Sequence, residues 1–78
     1  MFFTYVLQSD KNRYYTGHTS NLEKRLSEHN DGMTKSTKSA SSWKVIYSKE
    51  FQTRSEAMQH EKWLKTGVGR EFLKRFKN

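Results

Sequence analysis

The chain has 78 residues, 15 of them Lys or Arg and 8 Asp or Glu, for a formal net charge of +7 and a pI near 9.9. That length supports one domain, read as 1–78, whose modest core must lean on aromatic residues, because apolar residues reach only 32%. The absence of cysteine excludes disulfides, thiolate zinc sites, cysteine nucleophiles and iron–sulfur clusters. Residues 2–7 are too short an apolar run for a membrane span or signal peptide, so the expectation is a basic cytoplasmic protein with a polyanionic partner.

Phe2–Ser9 is aromatic and β-branched and reads as a buried strand. Asp10, Lys11 and Asn12 are turn residues, which makes residues 13–18 the returning strand of a hairpin. Ser20 or Asn21 then N-caps a helix to about Asn30, with Glu23 in its first turn and Asp31-Gly32 ending it. Residues 34–42 contain only Thr, Ser, Lys and Ala, cannot form a core and read as an exposed loop. Trp43, Val45, Tyr47 and Phe51 alternate, which predicts a third strand with all four on one face. Ser55 is the expected cap of a second helix reaching about Lys65 and ended by Thr66-Gly67. A last helix over 69–76 carries Phe72, Leu73 and Phe76. The order β-β-α-β-α-α implies an α+β fold, a small three-stranded antiparallel sheet flanked by helices.

The charge is uneven. Residues 1–33 balance four basic side chains against four acidic ones, whereas residues 34–78 hold eleven against four. Any one of these lysines can simply solvate a surface. The one-sided surplus favours nucleic acid over a membrane, because no long helix carries a wide apolar face.

Several polar residues fall where periodicity asks for apolar ones. Arg25 and His29 share a helix face with Leu22 and Leu26. Either one can snorkel past the leucines to water; otherwise its desolvation demands a partner. Glu61 lies between Ala57 and Leu64 on the second helix, as a salt-bridge partner of a core-flanking arginine or as a metal ligand. Magnesium is commonly held by one or two carboxylates plus substrate phosphate. Tyr5 and Tyr15 stand on paired strands and could meet across the ladder, although a strand tyrosine is usually core. Gly17 lets another group approach the second strand closely, and His18 follows it. His18, His29 and His60 lack the spacing of a zinc site.

This constellation resembles the GIY-YIG endonuclease superfamily, in particular its small standalone bacterial members and the nuclease domain found in excision-repair endonucleases. The likeness covers nearly the whole chain. Phe3-Thr4-Tyr5 stands for the first triad and Tyr15-Thr16-Gly17 for the second. Phe3 and Thr4 replace Gly-Ile, and Thr16 replaces Ile, while both tyrosines and the glycine remain. Arg25 and His29 match the family's arginine and histidine, Glu61 its metal-binding glutamate, and His18 a place where repair relatives often carry lysine. A late asparagine used by some members has no counterpart but Asn78, to which no role is carried over.

The resemblance implies metal-dependent hydrolysis of nucleic-acid phosphodiesters, DNA ahead of RNA, with DNA repair or processing as its setting. Glu61 would hold one Mg²⁺ or Mn²⁺, and Arg25 would stabilise the pentacovalent transition state. Tyr15 is the preferred general base, Tyr5 its support or stand-in and His29 the alternative, with Arg25, the metal and His18 or His29 lowering the phenol's pKa or relaying its proton. Lys35, Lys38, Lys44, Lys62 and Lys65 would grip the backbone without reading bases. Low sequence specificity follows, or dependence on a protein partner. The rival expectation is a non-catalytic nucleic-acid-binding module on the same fold.

Overall fold

The computed structural model describes residues 1–31 and 42–77. Its elements are β1 (Phe2–Ser9), β2 (Tyr14–Thr19), α1 (Leu22–Asn30), β3 (Trp43–Phe51), α2 (Arg54–Leu64) and α3 (Gly67–Leu73), followed by a 3₁₀ turn at Lys74–Phe76. The strands form one antiparallel sheet in the order β2-β1-β3, so the expected α+β architecture holds.

Local chemistry explains each boundary. In the β1–β2 turn, Asn12 takes a left-handed conformation (φ 59°), which asparagine tolerates. The Ser9 hydroxyl accepts from the N–H groups of Lys11 (3.2 Å) and Arg13 (3.0 Å), which keeps Arg13 in the turn and starts β2 at Tyr14. Asn21 caps α1, its side chain accepting from Lys24 N–H at 3.1 Å. The cap of α2 is Thr53 rather than Ser55: Thr53 accepts from Glu56 N–H while Glu56 reaches back to Thr53 N–H. Thr66 does not merely end α2. Its hydroxyl donates to the Trp63 carbonyl and accepts from Gly69 N–H, so α3 begins at Gly67, two residues earlier than expected.

The sheet separates two cores. On one face Tyr5, Leu7 and Trp43 pack with Leu22 and Leu26 of α1; on the other Val6, Leu64 and Leu73 pack with Phe72 and Phe76. The single face expected for Trp43, Val45, Tyr47 and Phe51 is divided. Leu7 pairs with Val45 but Val6 with Tyr47, so Ile46 is an extra residue in β3. This bulge shifts the alternation by one, leaving Trp43 and Val45 towards α1 and turning Tyr47 and Phe51 towards α2.

Two clamps hold the layers. The Thr4 hydroxyl donates to the buried Ala57 carbonyl at 2.7 Å, tying β1 to α2. The Asn30 carboxamide accepts from Trp43 N–H (2.6 Å) and donates to Trp43 O (3.2 Å), tying α1 to the start of β3 as a strand partner would.

Candidate active site

The hairpin register decides which side chains meet. Tyr5 pairs with Gly17 and Leu7 with Tyr15, so Tyr5 and Tyr15 are diagonal neighbours on the α1 face. Their rings lie 6.2 Å apart and tilted by 30°. Gly17 is required by this contact: a Cβ there would stand 2.9 Å from the Tyr5 hydroxyl and 3.0 Å from the Tyr15 ring. The Tyr5 side chain crosses the glycine towards the free edge of the sheet.

His29 joins the tyrosines. It is fully buried, its Nε2 is 3.2 Å from the Tyr5 hydroxyl, and its ring centre is 4.5 Å from that of Tyr15. Snorkelling to water is thereby ruled out for this residue. Burial, reinforced by the charge of Arg25, lowers the His29 pKa below its ordinary value and keeps the imidazole neutral. Burial also raises the Tyr5 pKa to about 12, against the pull of Arg25 and with help from Tyr15 and the Glu61 charge. Tyr5 is therefore a firmly protonated phenol.

Arg25, half-buried on α1, donates from Nη1 to Glu28 Oε1 at 3.0 Å. The Tyr5 phenol oxygen, and after it Glu28 and Tyr15, raise its pKa against the effect of burial, so the guanidinium is a permanent charge.

The remaining pair comes from the opposite face. Thr4 pairs with His18, which places His18 on the α2 side of the edge strand. Its Nδ1 lies 2.6 Å from Glu61 Oε1, and Lys65 Nζ donates to Glu61 Oε2 at 2.9 Å. The partners of Glu61 are thus a histidine and a lysine, not the core-flanking arginine that a purely structural role predicted. Burial pushes the Glu61 pKa upward, but His18 and Lys65 outweigh it and hold the carboxylate below its usual range. At 19% side-chain exposure Glu61 stays reachable from solvent. The two faces meet around the edge at Gly17, close enough for the Glu61 charge to act on Tyr5.

Among the described residues no cluster of three or more His, Cys, Asp or Glu side chains could hold a metal ion. One carboxylate suits a different arrangement. Among the described residues each Glu61 oxygen has a single partner, and a carboxylate oxygen accepts more than one. The Lys65 contact is with a half-exposed ammonium and is weak. That donor set fits a largely hydrated Mg²⁺ that would complete its shell on substrate phosphate, as magnesium commonly does.

A recess of about 470 Å³ opens beside this group, lined in part by His18, Asn21, Lys24, Arg25 and Arg54. Lys24 and Arg54 were not singled out from sequence. Lys24 precedes Arg25 and could have been noticed; Arg54 arrives through the packing of α2, which no local pattern encodes. Of the lysines expected to grip a backbone, Lys65 touches Glu61 and Lys62 is exposed on the last turn of α2. Lys44 lines a separate recess with Gln8 and Asp10, towards the other end of β1. Lys35 and Lys38 lie outside the described residues, with most of the loop expected over 34–42.

Comparison with known proteins finds relatives of this chain. A family model described as the GIY-YIG catalytic domain matches residues 1–75. UPF0213 protein YsiG of Lactococcus lactis subsp. lactis is 42% identical over 65 residues, which is 82% of this chain and 62% of the relative, so the match spans less than two thirds of that protein. A UPF0213 protein of L. lactis subsp. cremoris is 42% identical over 78 residues, covering 97% of this chain and 80% of its own length. The solution NMR structure of UPF0213 protein BH0048 from Bacillus halodurans superposes with a TM-score of 0.57 at 26% identity, covering 99% of this chain and 86% of that one.

Proposed function

The chain belongs to the GIY-YIG family, a nuclease family, and from that membership we propose that residues 1–78 form one metal-dependent endonuclease domain that hydrolyses phosphodiester bonds in nucleic acid. The observation that carries this reading is the convergence at one sheet edge of Tyr5, Tyr15, Arg25, His29, His18 and Glu61, drawn from four separate elements.

The roles follow from burial and charge. Tyr5, fully buried and with its pKa raised to about 12, serves as a positioning phenol, and the buried His29 braces it. That leaves the half-buried Tyr15 to pass its own phenolic proton to solvent and take the proton of the attacking water, its ring set against His29 and its hydroxyl beside Arg25. Arg25 stabilises the extra charge on the phosphoryl oxygens in the transition state. Glu61 would hold the Mg²⁺ or Mn²⁺, which when bound neutralises the phosphate and the departing oxygen. His18 orients that carboxylate from the neighbouring strand. Lys24 and Arg54 in the adjoining recess hold the backbone beyond the scissile phosphate, a contact blind to sequence. DNA is the favoured substrate, and repair or processing the favoured setting.

The test is cleavage of labelled DNA and RNA with Mg²⁺ supplied or chelated. Arg25→Ala should lower the rate by about 10²–10³-fold, the loss typical of removing one transition-state donor. Glu61→Ala should abolish metal-dependent cleavage. Full activity in either variant sinks the mechanism. Salt-sensitive binding with no metal-dependent cleavage by the intact chain would establish the rival, a non-catalytic binding module.

A further inference from the structure

The free edge of the sheet continues past the catalytic group. β2 is the edge strand, and on its α2 side it presents Tyr14, Thr16 and His18 in succession. Tyr14 and Thr16 line a second recess of about 310 Å³, walled by Lys65, Arg70 and Lys77 above Leu64. No carboxylate is among its described lining residues. Three cations in a lining without an anion make a site for phosphates. Tyr14 adds a flat aromatic surface. The residue is 39% exposed, and Lys77 Nζ lies over one face of its ring at 4.2 Å from the centre. Lys65 is shared: it lines this recess while donating to Glu61, which sets the recess beside the carboxylate.

Spacing sets what can occupy both places. Tyr14 and His18 are four residues apart, about 13 Å along an extended strand. That is about four stacked nucleotides, and fewer when the chain is stretched. We propose that this recess binds an unpaired nucleotide of the strand being cut, its base stacked on Tyr14 and its flanking phosphates paired with Lys65, Arg70 and Lys77. The inference rests on the phosphodiesterase reading above and narrows its substrate to nucleic acid with a single-stranded segment beside the scissile bond. A base inside a continuous duplex is already stacked on both faces and offers none to a tyrosine.

The experiment measures binding of a short fluorescent single-stranded DNA, and of its duplex, by anisotropy in the presence of a chelator. Tyr14→Ala should weaken single-strand binding about ten- to hundredfold, the range of base–aromatic stacking, while Tyr14→Phe retains it and duplex binding does not change. Arg70→Ala with Lys77→Ala should make the slope of log affinity against log salt shallower by about 1.4, for two phosphates released. A 2-aminopurine base stepped along the strand should be quenched at one position by the wild-type chain. Unchanged binding by folded Tyr14→Ala, equal losses on single strand and duplex, or no quenched position would overturn the proposal while leaving the nuclease reading intact. Absence of any nucleic-acid binding by the wild-type chain would overturn both.

Discussion

The two faces of the sheet are built on opposite terms. Towards α2 and α3, Val6, Leu64 and Leu73 meet Tyr47, Phe72 and Phe76 in a cluster of apolar and aromatic groups, with Tyr47 seated edge-on to Phe72 and its hydroxyl bonded to His60. Towards α1, polar groups share the space: a buried phenol bonded to a buried imidazole, with a guanidinium at the rim. Each face buries three apolar or aromatic side chains, so the α1 face holds its polar groups by pairing them with one another rather than by giving up burial. Desolvation on the α1 face is also what raises the pKa of Tyr5, the phenol that is fully covered.

The contrast can be broken most directly at Leu64. Leu64→Ala should destabilise the protein by about 2–5 kcal/mol, read as a lower urea midpoint, because it empties the centre of the α2 face. Leu26→Ala, at a half-buried position beside the polar face, should lose clearly less. Equal losses would mean that the two faces share the burden.

Gly17→Ala should have an intermediate effect. The new methyl would press on the Tyr5 hydroxyl, which is fixed by His29, and overpacking of this kind typically costs about 1–3 kcal/mol. Activity should fall with stability, and Tyr5→Phe in the same background should restore part of the stability by removing the crowded oxygen.

The smallest effect is a pH dependence. Because His29 is neutral in the fold and its pKa is lowered, the unfolded chain binds a proton that the folded one resists, so stability should decline as pH falls below about 6.5. Tyr5 acts at the other limit: its raised pKa means the unfolded chain ionises first, and stability should decline as pH rises from about 10 towards 12. Urea unfolding across pH should show both slopes, with His29→Gln flattening the acid one and Tyr5→Phe the alkaline one.

Much of this was legible from residue order. Aromatic and β-branched content placed β1, alternation placed β3, turn residues placed the hairpin, and the offsets of Arg25, His29 and Glu61 from their leucine and alanine neighbours marked them as anomalous. The errors have local physical causes. A capping box at Thr53 outcompeted Ser55, Thr66 restarted a helix it was expected only to stop, and one extra residue at Ile46 reversed the facing of Tyr47 and Phe51.

The sequence alone determined the element order, the basic surplus of the later part and the identity of the polar side chains on apolar faces, because periodicity and capping are short-range properties. Only the tertiary structure decided that His29 is sealed against Tyr5, that Glu61 answers to His18 and Lys65 rather than to an arginine, that Arg54 lines the recess beside Arg25, and that Tyr14, Arg70 and Lys77 line another. Tyr5 and His29 are 24 residues apart in the chain, and His18 and Glu61 are 43 apart. Such pairings depend on how far helices and strands are displaced and rotated when they pack, and no local pattern carries that information.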